Sequence, residues 1–239
     1  MDMMNWLSTF SFGFAQSLTE LTGLRIDWLV DYTPYFLRGT LYTIGISLIG
    51  ILIGTILGLL IGLGKMLNNK LLSFPFRFYI AFFRGTPFYV QLLLIHFGVI
   101  PALLGTTNGI AAGILALSLN AAAYIAEIFR AGIQSIDKGQ MEAARSLGMN
   151  HIQAMRYIIL PQAFKRMIPP LGNEFIVLIK ESSLTALIAV PELMYWGKAF
   201  QGQYYKVWEP FLTAAVIYFF LTLTLSYLLS RLEKRLATE

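Results

Sequence analysis

Asn173, Glu174, Lys180 and Glu181 fall inside the otherwise apolar stretch from Met167 to Val190, and ionisable side chains in such a stretch mark function by default. Three charges near the centre of a membrane helix cost about 3 kcal/mol each, roughly 9 kcal/mol in all. The eleven Leu, Ile, Val and Phe residues of the stretch return about 5 kcal/mol, at about 0.45 kcal/mol each. The segment would insert poorly alone, so it must face protein or a watery cavity. On a helix, Glu174 and Glu181 share a face, while Lys180 is turned about 120° from Glu174. Glu174 is therefore expected on a transport path, its carboxylate receiving a substrate ammonium, with Asn173 and Thr86 as neutral hydrogen-bond partners. The competing reading is a structural ion pair between Glu174 and Arg84. Gln91, Asn120 and Glu127 are also polar within apolar surroundings, and interhelical hydrogen bonds would equally satisfy them.

Enzymatic chemistry lacks its parts. The nearest approach to a phosphate loop is Gly58 to Met66, GLLIGLGKM. A Walker A loop needs four residues between its glycines and a Ser or Thr after the Lys; here five intervene and Met66 follows. His96 and His151 fall on opposite sides of the expected topology, so they can neither share a metal nor build a triad. Cysteine is absent, which removes thiolate ligands, thiol nucleophiles and disulfides.

The elements that must carry these residues are membrane helices. Of the 239 residues 56% are apolar and 13% charged, against about 25% charged in a soluble domain. The apolar residues run in blocks of about twenty or more, as helical spans require, rather than in the alternation of a barrel strand. Five spans are expected: 34–65, 71–104, 109–129, 167–190 and 210–230. The second is broken at Arg84-Gly85-Thr86-Pro87, because Pro removes a helical hydrogen bond and Gly permits a bend. The fourth is opened by Pro169-Pro170, which suit a first helical turn. Glycines 39, 45, 50, 54, 58 and 62 recur near every fourth position of the first span, a stripe that lets another helix approach closely.

Lys and Arg set the orientation. Lys65, Lys70 and Arg77 follow the first span, six basic residues lie between Arg130 and Arg166, and Arg231, Lys234 and Arg235 close the chain. The net charge of +5 therefore reflects cytoplasmic loops, and no nucleic-acid partner is expected. This places the N-terminus outside the cell membrane and the C-terminus in the cytoplasm. Residues 1–33 form an extracytoplasmic segment in which Trp6, Phe10, Phe14 and Leu18 would line one face of an interfacial helix, unless the segment is simply a tail. Residues 34–239 form the transmembrane domain.

The loop from Arg130 to Arg166 is too long for a mere connector. Residues 139–147 read as a short helix with Met141, Ala144 and Leu147 on one face, ended by Gly148. A second helix through Ile152, Met155, Ile158 and Ile159 follows, up to Leu160-Pro161. The result is a helix-turn-helix knob.

The spacing within this knob is specific. Glu142-Ala143-Ala144, Gly148, Ile158, Leu160 and Pro161 fall in a twenty-residue pattern that resembles the EAA loop of ATP-binding-cassette (ABC) importer permeases. Arg84-Gly85-Thr86-Pro87 with Gln91, and Leu171-Gly172-Asn173-Glu174-Phe175, are similar to the polar amino acid subfamily. The resemblance implies an all-α integral membrane protein of the type I ABC importer permease fold, with five transmembrane helices and an EAA-loop coupling helix. It implies that Glu142, Ala143, Ala144, Gly148 and Pro161 contact an ATPase, and that Asn173, Glu174, Thr86, Arg84 and Gln91 meet an amino acid substrate. ABC ATPase subunits carrying ATP and Mg, an extracytoplasmic solute-binding protein, membrane lipid and a second or related permease are the implied partners. The chain itself needs no cofactor and hydrolyses nothing in this reading. The alternatives are an ion-driven secondary amino acid transporter, an ABC permease for another small solute, or a membrane anchor that moves nothing.

Overall fold

The structure, a computed structural model, describes residues 27–237, with side chains described for 31–235. The expected apolar face of Trp6, Phe10, Phe14 and Leu18 lies outside the described residues. Every long element is helical. The first, α1, spans Asp27–Lys65, so Pro34 sits inside it and not at its start.

The glycine stripe of α1 is what lets α4, Gly109–Gln134, pack backbone to backbone against it. A Cβ added at Gly54 would stand 2.9 Å from Ala121 Cβ, and one at Gly58 2.8 Å from Ile125 Cβ. Gly50 faces Leu117 and Gly62 faces Ala126 in the same way. The stripe is thus narrower than the six-residue repeat suggested: Gly39 packs on Trp196 and Leu193 instead, and Gly45 meets nothing. Because residue numbers rise together along the two helices, α1 and α4 run parallel. The chain between them must therefore return to its starting side.

That return is made by α2, Lys70–Gly85, and α3, Phe88–Leu104, which meet at a bend of 111°. Asn69 caps α2, its side chain accepting from the Leu71 N–H at 2.9 Å, and the break falls at the expected Gly85-Thr86-Pro87. α3 contains a π turn at Ile95–Val99 and ends at Gly105, whose φ of 72° is the left-handed conformation that favours glycine.

Beyond α4 lies the short helix α5, Lys138–Ser146. The next helix, α6, runs unbroken over 151–181: a turn at His151–Ala154, a π turn at Met155–Ile159 and then Leu160–Glu181. This corrects two expectations. The second loop helix does not stop at Leu160-Pro161, and Pro169-Pro170 lie within a helix instead of opening one. A π turn directly upstream shifts the hydrogen-bond register so that a residue without an N–H can follow it. Two further missing donors are tolerated where neighbouring helices surround the backbone.

Past α6, a 3₁₀ segment Ser182–Ile188 leads to α7, Leu193–Tyr204, and α8, Trp208–Ala237. Contacts fix the register: Met167 packs on Gly132, Thr185 on Gly113 and Ile188 on Gly109, while Leu229 packs on Gly172. Residues 167–188 therefore run the length of α4 antiparallel to it, and α8 runs antiparallel to α6.

Three described helices are long and apolar enough to cross a membrane, at 31–65, 109–134 and 208–235, or four if the bent pair counts as one span. The stretch 167–190 is not among them. Burial ranks the helices: 61% of the most apolar window of α4 is buried, against 6% for α8. α4 is the axis of the bundle and α8 its outer stave.

Candidate functional site

Three places in the bundle concentrate polar side chains. The first is a cavity of about 620 Å³ between α2, α4 and α6, whose walls include Arg84, Tyr124, Glu127, Arg166, Asn173 and Glu174. Two of its charges are already committed. Glu127 is held by Lys65 and by Arg130, the latter at 2.8 Å, and Arg166 donates to the Ser135 carbonyl. The other two are of opposite sign. Arg84 lies over the Tyr124 ring at 5.4 Å, and Glu174 makes no ion pair among the described residues, with Arg84 or with any other cation. The Glu174–Arg84 pair weighed from sequence is therefore not formed. Asn173 lines the same wall, whereas Glu181 does not reach this cavity and keeps a buried Oε2 without a hydrogen bond.

Thr86 and Gln91 are not among the lining residues. Gln91 is buried and donates to the Phe83 carbonyl at 2.8 Å, the Thr86 carbonyl at 3.0 Å and Thr86 Oγ1 at 2.9 Å. Its Oε1 accepts from Asn120 at 2.9 Å. These bonds tie the freed carbonyls of the α2–α3 elbow to α4. Their geometry is that of a brace which sets the position of Arg84, two residues before Thr86 on the elbow.

The second place is the knob. Asp137 caps α5, accepting from the Gly139 N–H at 2.7 Å. Gly148, with φ of 84°, turns the chain while its own N–H and that of Met149 reach back to Arg145 and Ala144 carbonyls at 3.1 and 3.2 Å. A capping box then opens α6, Asn150 and Gln153 exchanging bonds of 2.9 Å each. Ala144 is 4% exposed and packs inward, with Met141 against the main core. Leu147 is 83% exposed, so it does not share the inner face that its spacing suggested. Glu142, Ala143, Gly148 and Pro161 are all exposed, as are Ile152 and Tyr157. The outward face thus offers small and apolar groups ringed by Arg145 and Arg156, while Ala144 holds the knob together from within.

The third place went unnoticed in the sequence. Glu192 is fully buried at the start of α7. It accepts from Tyr218 Oη at 2.5 Å, from the Tyr195 N–H at 2.7 Å and from Thr43 Oγ1 at 3.3 Å. Thr43 Oγ1 in turn accepts from the Leu193 N–H at 3.2 Å. One carboxylate therefore ties α1, α7 and α8 at the end of the bundle remote from the knob. A Glu preceding a helix signals only a cap.

Among known proteins, the family model described as "Binding-protein-dependent transport system inner membrane component" matches residues 50–238. A probable amino-acid ABC transporter permease protein, YckA of Bacillus subtilis, is 40% identical over 208 residues, covering 87% of this chain and 92% of that protein. The arginine transport system permease protein ArtQ of the same organism is 39% identical, over 88% of this chain and 96% of its own length. A crystal structure of an amino acid ABC transporter with histidines superposes with a TM-score of 0.83 at 45% identity, covering 89% of this chain and 99% of its counterpart. An inward-facing MetNI methionine ABC transporter, at 22% identity and a TM-score of 0.75, shares the fold. The chain belongs to the inner membrane components of binding-protein-dependent transport systems: it is the permease subunit of an ABC importer, and its helices form a membrane passage instead of a catalytic domain.

Proposed function

We propose that this permease passes a polar amino acid into the cell through the cavity bounded by Arg84, Asn173 and Glu174. One observation supports the choice of solute. Two charges of opposite sign, each without an ionic partner among the described residues, face one cavity of about 620 Å³, and that is the complement of a zwitterion. The carboxylate of Glu174 would take the ammonium, the Arg84 guanidinium the carboxylate, and Asn173 a neutral group.

The chain works with ATPase subunits that bind ATP and Mg, and the outward face of the knob, Glu142, Ala143 and Gly148 with Pro161 behind them, is their seat. The five traverses made by α1, α2–α3, α4, 167–188 and α8 are the five spans, with the N-terminus outside and the C-terminus in the cytoplasm. A second copy or a related permease completes the passage, and an extracytoplasmic solute-binding protein delivers the substrate. Binding of ATP and its hydrolysis change which state of the bundle is favoured, and the solute moves because its affinity differs between the two states. The test is uptake of labelled amino acids into proteoliposomes holding the permease, its ATPase and its binding protein. Uptake should require hydrolysable ATP and weaken in Glu174→Gln. A Glu174→Gln protein with unchanged rate and affinity would sink the assignment of the cavity.

A further inference from the structure

At the end of the bundle remote from the knob, α1 and α7 enclose a second cavity of about 460 Å³, lined by Asp31, Tyr32, Tyr35, Trp196, Gln203 and Tyr204 together with Ala199. Its walls are unlike those of the inner cavity: four aromatic rings and one carboxylate. The rings are held in place. Tyr32 is 7% exposed, its hydroxyl donates to Gln203 Oε1 at 2.5 Å, and its ring meets Phe200 edge-on at 4.3 Å. The Trp196 indole N–H donates to the Pro191 carbonyl at 3.2 Å, and its ring lies 4.6 Å from that of Tyr35. Tyr204 stands edge-on to Tyr32 at 5.7 Å. Asp31 has no ion pair among the described residues, and Lys206, two residues past Tyr204, is engaged by Glu209 at 2.8 Å.

Aromatic faces carry negative potential, and several of them around one space attract an alkylated or primary ammonium. A carboxylate at the rim adds direct charge complementarity. Rings fixed beforehand lose little entropy on binding, which raises affinity. An ordinary interfacial belt of Trp and Tyr points its rings at lipid one by one; here they converge on a common space with an acid beside it.

We propose that Asp31, Tyr32, Tyr35, Trp196 and Tyr204 form a binding site for an organic ammonium group, separate from the transport cavity. The group can come from a lipid headgroup or from a small molecule in solution, and the chemistry recognised is the same. The site stands on its own geometry and holds even if the inner cavity passes some other solute.

The full-length permease is placed in nanodiscs of phosphatidylglycerol with a tryptophan-free scaffold protein, in a background carrying Trp6→Phe, Trp28→Phe and Trp208→Phe, so that Trp196 alone reports. Tetramethylammonium chloride is titrated against sodium chloride of equal strength. A saturable change in Trp196 emission is expected, weakened about tenfold by Asp31→Asn and by Tyr35→Leu, the factor set by a loss of about 1.4 kcal/mol, and unchanged by Glu174→Gln. Nanodiscs of phosphatidylcholine distinguish the sources. Loss of the response there identifies the lipid headgroup as occupant, and its persistence with competition by free choline identifies a soluble ligand; both support the site. No saturable response in phosphatidylglycerol, equal affinity in Asp31→Asn, or loss in Glu174→Gln would overturn it. Elution of each variant as the same monodisperse species shows that the fold is intact.

Discussion

Two carboxylates of this bundle, Glu192 and Glu174, are placed in opposite ways. Glu192 is fully buried, caps a helix and is bonded on both oxygens by three different elements. Glu174 stands on a cavity wall and makes no ion pair among the described residues. Burying a carboxylate is tolerable only when its hydrogen bonds are made, so the first is structural by necessity. The second has forgone that compensation, and a group left available in this way is suited to a ligand. Glu192 commits its carboxylate to holding three helices together; Glu174 keeps its own uncommitted among the described residues.

The sharpest way to break this contrast is to remove the tie. Glu192→Leu should destabilise the permease by about 4 kcal/mol, since it leaves Tyr218, Thr43 and the start of α7 unsatisfied. A fall in the detergent melting temperature of several degrees measures it. Next comes the elbow brace: Gln91→Leu strands two carbonyls and Asn120, which should cost about 2 kcal/mol in the same assay. It should also lower uptake through displacement of Arg84. In the knob, Ala144→Phe overpacks a buried site at about 1–2 kcal/mol while ATP-driven uptake falls at least about tenfold and membrane insertion persists. Leu147→Ser, on the exposed face, should leave stability unchanged and reduce only co-purification of the ATPase. Last, Glu174→Gln should shift stability by less than about 0.5 kcal/mol while KM for uptake rises about tenfold. A large melting change in Glu174→Gln, or none in Glu192→Leu, would erase the distinction between the two acids.

Much of this arrangement was readable in advance where the signal is local. Gly148 at a positive φ, the break at Gly85-Thr86-Pro87 and the small residues facing α4 each follow from one residue's own geometry. Signals that depend on partners were harder. Glu192 meets Tyr218 and Thr43 across 26 and 149 positions, and no spacing rule relates them. Leu147 was grouped with Met141 and Ala144 because of its three-residue step, yet each such step drifts about 60° around a helix, enough to carry Leu147 into solvent. Prolines 161, 169 and 170 read as helix boundaries because the rule derives from water-exposed helices. A π turn and close helical neighbours relax it here. The cavity was half legible: charges in an apolar stretch announced Glu174, but only the fold separates Arg84, on the wall, from Gln91, behind it.

One property of α6 reaches further than its packing. The knob's second half and the wall that carries Asn173 and Glu174 belong to the same uninterrupted helix, 151–181, and about 35 Å separates its first turn from Glu174 at 1.5 Å per residue. No helix break therefore separates the proposed ATPase seat from the proposed substrate carboxylate, and α6 would act as a drive shaft. A stroke applied at the proposed seat would pass along one helix, which bears on Gly132 of α4 through Met167 and presents Gly172 to Leu229 of α8. A flexible insert after Ile159 would act as a clutch, letting the ATPase turn over while the cargo stands still.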